Sequence, residues 1–174
     1  MAEYHYISSP DFVQQLKFDY VETYSFQRTA ELQEFFALIK IKQRGFQLIS
    51  EQEKRLDVLS SYPKEEGLLI DEKGEFSSSS NHIRTFEKGA PELEQLLAIL
   101  AMPPIEIPSW ICAPFYRDAV VFYDNTGTIL SCLNICFSCE YMQTKKFHFV
   151  DADEKVYDAL KAFFIGIGHP VERD

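Results

Sequence analysis

Apolar positions along the chain repeat with two periods, and the switches between them mark the elements. Ser9 and Pro10 read as the N-cap and first residue of a short helix with Phe12, Val13 and Leu16 on its apolar side. Residues 18–26 are aromatic and alternating, as in a strand. After Thr29, a suitable N-cap, Leu32, Phe35, Phe36 and Ile39 recur at i, i+3, i+4 and i+7, which predicts a helix over 29–41. Alternation resumes around Gly45 and suggests a strand or hairpin over 39–49. Ser50 and Glu53 form an S-x-x-E capping box opening a helix over 51–61, and Pro63 stops it.

Residues 64–90 are the least regular. The stretches 67–71 and 83–87 read as short strands, and Ser77–Ser80 as a loop. Pro91 opens a helix over 91–101, with Leu93, Leu96, Leu97 and Leu100 on one face. Pro103, Pro104 and Pro108 make the next segment extended, because a proline ring fixes φ and excludes the α region for the residue before it. Asp118–Asp124 and residues 128–137 read as two strands joined by a hairpin loop at Asn125–Gly127, and 145–150 as a third. Asp151 with Glu154 looks like a cap pair for a helix over 152–165 that buries Val156, Tyr157, Leu160, Phe163 and Phe164. Gly166 or Gly168 ends that helix, and Pro170 prevents its restart. The pattern predicts one α+β domain over 1–174. Its antiparallel sheet includes a C-terminal meander at 118–150 and is covered on one side by four to five helices.

Composition supports a packed core. The chain has 174 residues, 46% of them hydrophobic, and needs no disulfides for stability. A formal charge of −10 repels phosphate backbones and anionic lipid, so nucleic acid and membrane surfaces are poor partners. It suits solubility, or a basic protein partner. The first 20 residues lack the basic and apolar regions of a secretory leader, and no apolar run is long enough to span a bilayer. These features predict a cytoplasmic protein with reduced thiols and no disulfide framework.

The cysteines are the main candidate chemistry. A three-residue hairpin loop sets Asp124 opposite Thr128, and on that register, or one residue tighter, Cys139 would face Ala113 or Cys112. Cys112, Cys136 and Cys139 then gather at the far end of the hairpin. Cys132 lies about 13 Å from Cys136 along the strand and drops out. Three readings follow. Zinc would need four ligands, with His148 or an outside group as the fourth. Thiol redox would use the C-x-x-C pair, although no helix follows it to lower a thiol pKa. Structural packing suits small apolar side chains among Leu130, Leu133, Ile135 and Phe137, and is preferred.

Beside this corner, Arg117 could clamp an anion, or form a salt bridge, with Tyr116 and Asp118 adjoining it. Asn134, in an apolar strand, must find partners if buried; it could anchor the proline-rich connector or line a pocket. The histidines are dispersed, and no P-loop, G-x-G-x-x-G or G-x-S-x-G is present. No nucleophile, base and orienting group assemble in the sequence, which leans against an enzyme.

Residues 112–139 resemble a group of small bacterial proteins of unknown activity, with a cysteine, a Pro/Arg turn, an FYD strand, a glycine hairpin and an ICF-x-C ending. Cys112, Pro114, Arg117, Phe122, Tyr123, Asp124, Gly127, Ile135, Cys136, Phe137 and Cys139 carry the likeness. The resemblance implies that the three cysteines and Arg117 belong to one pattern, without Cys132. The expected function is non-enzymatic binding or interaction, with no cofactor. The alternative is a zinc or thiol site on Cys112, Cys136 and Cys139.

Overall fold

The computed structural model describes residues 3–61, 67–108 and 113–172. They form an α+β fold with a seven-stranded, mostly antiparallel open sheet and five helices. The described chain divides into two compact units, one of residues 1–26 with 67–174 and one of 27–66.

The larger unit holds the sheet. Its strands are β1 (His5–Ser8), β2 (Tyr20–Ser25), β3 (Asn81–Glu87), β4 (Asp118–Tyr123), β5 (Ile129–Cys136), β6 (Tyr141–Lys145) and β7 (His148–Asp151). They lie in the order β1-β7-β6-β5-β4-β2-β3, with β1 parallel to β7 and the other pairs antiparallel. The third meander strand expected over 145–150 is instead the end of β6, a turn and most of β7. Lys146 and Phe147 turn the chain between them, with Phe147 in the left-handed region at φ 66°.

One sheet face packs under helices α1 (Ser9–Gln15), α4 (Pro91–Leu100) and α5 (Glu154–Gly166). Val21, Val120, Phe122, Leu133, Ile135, Met142 and Val150 meet Phe12, Leu93, Leu96, Leu100, Leu160 and Phe164 there. All five residues predicted to be buried on α5 are buried. On α4, Ile99 takes the place expected for Leu97, which is only partly buried. On the opposite face, Ala119, Val121, Tyr123, Cys132, Cys136 and Cys139 pack with Phe26, Tyr116 and Leu69.

The smaller unit contains α2 (Ala30–Gln43) and α3 (Ser50–Ser61). Phe35, Leu38, Leu48, Leu56 and Leu59 form its apolar cluster. The strand or hairpin expected over 39–49 is absent, because α2 continues to Gln43 and Gly45 closes the turn at φ 79°. Arg55 bridges both Glu34 oxygens between the helices. Pro63, the expected stop of α3, lies outside the described residues.

Three caps shift by a residue or two from their expected places. Ser8, not Ser9, caps α1: its hydroxyl donates to Asp11 Oδ2 at 2.6 Å and accepts the Asp11 N–H. Ser50 lies inside α3, where the Gln52 side chain accepts the Ile49 N–H at 3.1 Å in place of the capping box. Asp153, not Asp151, caps α5. Its Oδ1 accepts the Lys155 N–H, while Oδ2 accepts the Ile105 and Glu106 N–H groups at 2.9 and 2.8 Å. One carboxylate thus starts a helix and fastens the proline-rich connector. The connector's backbone N–H groups of Glu106 and Ile105 hold the Asp153 carboxyl below the usual carboxylate range. A carboxyl depressed on folding stabilises fully above the ordinary carboxylate range, and that stabilisation fades as pH falls through the range to the lower folded value. The stability gap between wild type and Asp153→Asn should therefore be widest near neutral pH and close in acid, as denaturant titrations at stepped pH would show.

Candidate functional site

The cysteine corner is partly as expected. β5 ends at Cys136, and Cys139 lies in the following turn with its Sγ 3.6 Å from the Ala113 carbonyl. Cys136 Sγ accepts the Phe115 N–H at 3.3 Å and lies 3.4 Å from the Ser138 hydroxyl. Cys139 is disulfide-bonded, against the expectation of wholly reduced thiols, whereas Cys132 and Cys136 are free and buried. Cys112 lies outside the described residues. Burial pushes the Cys132 thiol up to about 12, so it behaves as core. His148 is not brought to this corner. It sits on β7, on the helix-covered face, and stacks on His5 at 4.4 Å. No group of three or more metal-ligating side chains occurs among the described residues.

The polar neighbours are committed elsewhere. Arg117 pairs with Glu172 and lies 5.2 Å over the Phe115 ring, the salt-bridge outcome. The Tyr116 hydroxyl donates to Gln143 Oε1 at 2.8 Å, and burial pushes its pKa up. Asn134 anchors a different segment from the one expected. Its Oδ1 accepts the Leu69 N–H at 2.7 Å, and its Nδ2 donates to the Gln143 carbonyl at 3.0 Å.

Sequence reading missed a buried polar centre. His169 Nδ1 lies 2.7 Å from Asp118 Oδ1, and Nε2 lies 2.9 Å from Thr23 Oγ1. A carboxylate only accepts, so the Nδ1–H donates to Asp118, and Nε2 shares the second hydrogen bond with the Thr23 hydroxyl. A hydroxyl, an imidazole and a carboxylate are therefore assembled after all, although none of the three is more than 4% exposed. The arrangement ties the C-terminal segment to the sheet. Gly168 makes it possible: at φ 100° it ends α5 and turns His169 inward. The available signal was parity. In β2 the alternation that buries Val21 also buries Thr23 and Ser25.

A second missed feature is exposed. Tyr4, Tyr6, Phe147, Phe149 and Tyr141 share the sheet face opposite the helices, at the β1–β7–β6 end. Register requires this, since Ile7 and Val150 pair on the helix side and Tyr6 pairs with Phe149. The Tyr4 and Tyr6 rings lie nearly parallel to that of Phe149, with centroids 6.1 and 5.4 Å away. Phe147 meets Tyr4 edge to face at 5.2 Å, and Tyr141 meets Phe149 at 6.4 Å. Tyr4 and Tyr6 are 57% and 63% exposed, with no described element over them. The strip ends at Asp151, which neighbours Ser8 on β1 and, by continuing the Gln143–Phe149 register, Tyr141 on β6.

No family model matches this chain, and neither does any curated protein or solved structure. No helix among the described residues is long and apolar enough to cross a membrane.

Proposed function

We propose that the protein is a non-enzymatic binding protein and that the aromatic strip on β1, β7 and β6 is its contact face. The observation that carries this reading is the exposure of stacked rings on an ordered sheet. Aromatic side chains cost free energy in water and are enriched where partners bind. The backbone supports it too: Phe147 holds a bulky side chain in the left-handed region, a strained conformation of the kind that collects at binding sites. The partner class that suits the charge of −10 is a basic protein. A photo-crosslinking residue at position 6 should give a discrete adduct in native lysate, whereas one at Gln95, exposed on α4, should not. Absence of any adduct from position 6 would overturn the proposal.

A second reading rests on the cysteine corner. A disulfide at Cys139 stands three residues from the free thiol of Cys136, whose sulfur receives an N–H donor. A thiol beside a disulfide is the arrangement that thiol–disulfide exchange uses. Zinc at this corner would require Cys139 to be reduced first, since the thiolate is the ligand. Alkylation of the native protein followed by mass mapping separates these ideas. The binding reading expects Cys132 and Cys136 to stay unlabelled until unfolding. Fast native labelling of Cys136 would favour the thiol site.

A further inference from the structure

We propose that the occupant of the aromatic strip is an extended basic protein segment. It adds as a strand to the free edge of β1 and lays Lys or Arg side chains over Tyr6 and Phe149 toward the Asp151 carboxylate. This inference rests on the binding reading above and names the partner's chemistry.

The edge is the first observation. β1 is outermost in the sheet, and no described strand pairs with its far side. The His5 N–H points inward to the Phe147 carbonyl at 2.8 Å. Along a strand the backbone groups alternate in direction, so the Tyr6 amide faces outward, where an incoming strand can use it.

Two further observations set the charge. Ring faces attract cations, and this strip already holds one of its own: Lys146 Nζ lies 5.5 Å from the Phe147 centroid. Lys146 also lies 3.8 Å from Glu72, so it is placed over Phe147 and leaves Phe149 and Tyr6 open. Asp151 supplies the opposite charge. Its carboxylate is half-buried, burial alone raises its pKa, and no side-chain hydrogen bond or ion pair to it occurs among the described residues. A partly desolvated carboxylate without a partner at the end of an aromatic row is suited to an ammonium or guanidinium group. Lys145 is the remaining cation of the β6–β7 turn, and the incoming charge is directed away from it, to the Asp151 end.

Calorimetry with short synthetic peptides tests this. One peptide alternates Thr or Val with Lys and Arg, a second carries Glu at the charged positions, and a third is the basic peptide N-methylated on alternate amides. The basic peptide should bind and add hydrogen-exchange protection at the Tyr6 amide. The acidic one should show no binding, and N-methylation should weaken binding more than tenfold by blocking the ladder. Tyr6→Ala and Asp151→Asn should each weaken it about five- to tenfold. Unchanged thermal unfolding would show that both variants fold. Equal binding of basic and acidic peptides, or no effect of N-methylation, would overturn the inference. So would Tyr6 protection that grows with protein concentration alone, which would make a second copy the occupant. If no peptide binds while position 6 still crosslinks, the contact face stands and this partner assignment falls.

Discussion

His169→Ala should lower the stability of the fold by roughly 3–5 kcal/mol, the cost of leaving one member of a buried polar pair without its partner. Asp118 is fully buried and loses its 2.7 Å imidazole contact, and Thr23 loses the 2.9 Å contact on the other nitrogen. The vacated ring also leaves Phe164 without the edge-to-face neighbour it now has at 4.5 Å. For a domain of this length each kcal/mol corresponds to about 2–4 °C, so the melting temperature should fall by roughly 10 °C. Thermal and denaturant melts would measure it. A double variant, Asp118→Leu with His169→Leu, should recover much of the loss, because apolar residues of similar volume often replace a buried pair without penalty. If the single variant melts within about 1 °C of wild type, the lock does not hold the C-terminal segment.

The second large effect is at Asn134. Asn134→Leu should cost roughly 2–4 kcal/mol, because it removes the acceptor for the Leu69 N–H and the donor to the Gln143 carbonyl at a fully buried position. Leu69 is fully buried, and its segment covers part of the face that carries Cys132 and Cys136. Hydrogen exchange should report this locally: the Leu69 amide should lose protection well before the amides of β4. Uniform loss across β4 and Leu69 would mean that the amide stabilises the whole sheet and has no special hold on this segment.

Much of the fold was legible from periodicity. The stripe of α5 and the alternation of β2 each have one buried side, so hydrophobic spacing alone places them. The 39–49 stretch misled because a short Ile/Lys alternation fits the end of a helix and a strand equally well, and packing of Leu38 and Phe35 decided for α2. The caps moved because Ser8, Ser9 and Pro10 offer two hydroxyls to one helix start, as do Asp151 and Asp153 to another. Only the path of the incoming chain chooses between them.

The candidate site was less legible. Cys136 and Cys139 could be set at one end of the hairpin because a tight loop fixes register for its two strands. A bulge after Phe122 then shifts that register by one residue, which no local signal announced. His148 could not be excluded from the cysteines until a fourth strand appeared between β5 and β7 and set the face on which it lies.

The sequence by itself determined the α+β class, the apolar stripes and the hairpin, since these follow from the spacing of neighbouring residues. Only the tertiary structure decided that Thr23, Asp118 and His169 meet, and that Tyr4 and Tyr6 join Phe149 in an open strip. Those partners are distant in sequence, His169 lying 51 residues from Asp118 and 146 from Thr23, and strand order and the parallel pairing of β1 with β7, which local periodicity does not encode, bring them together.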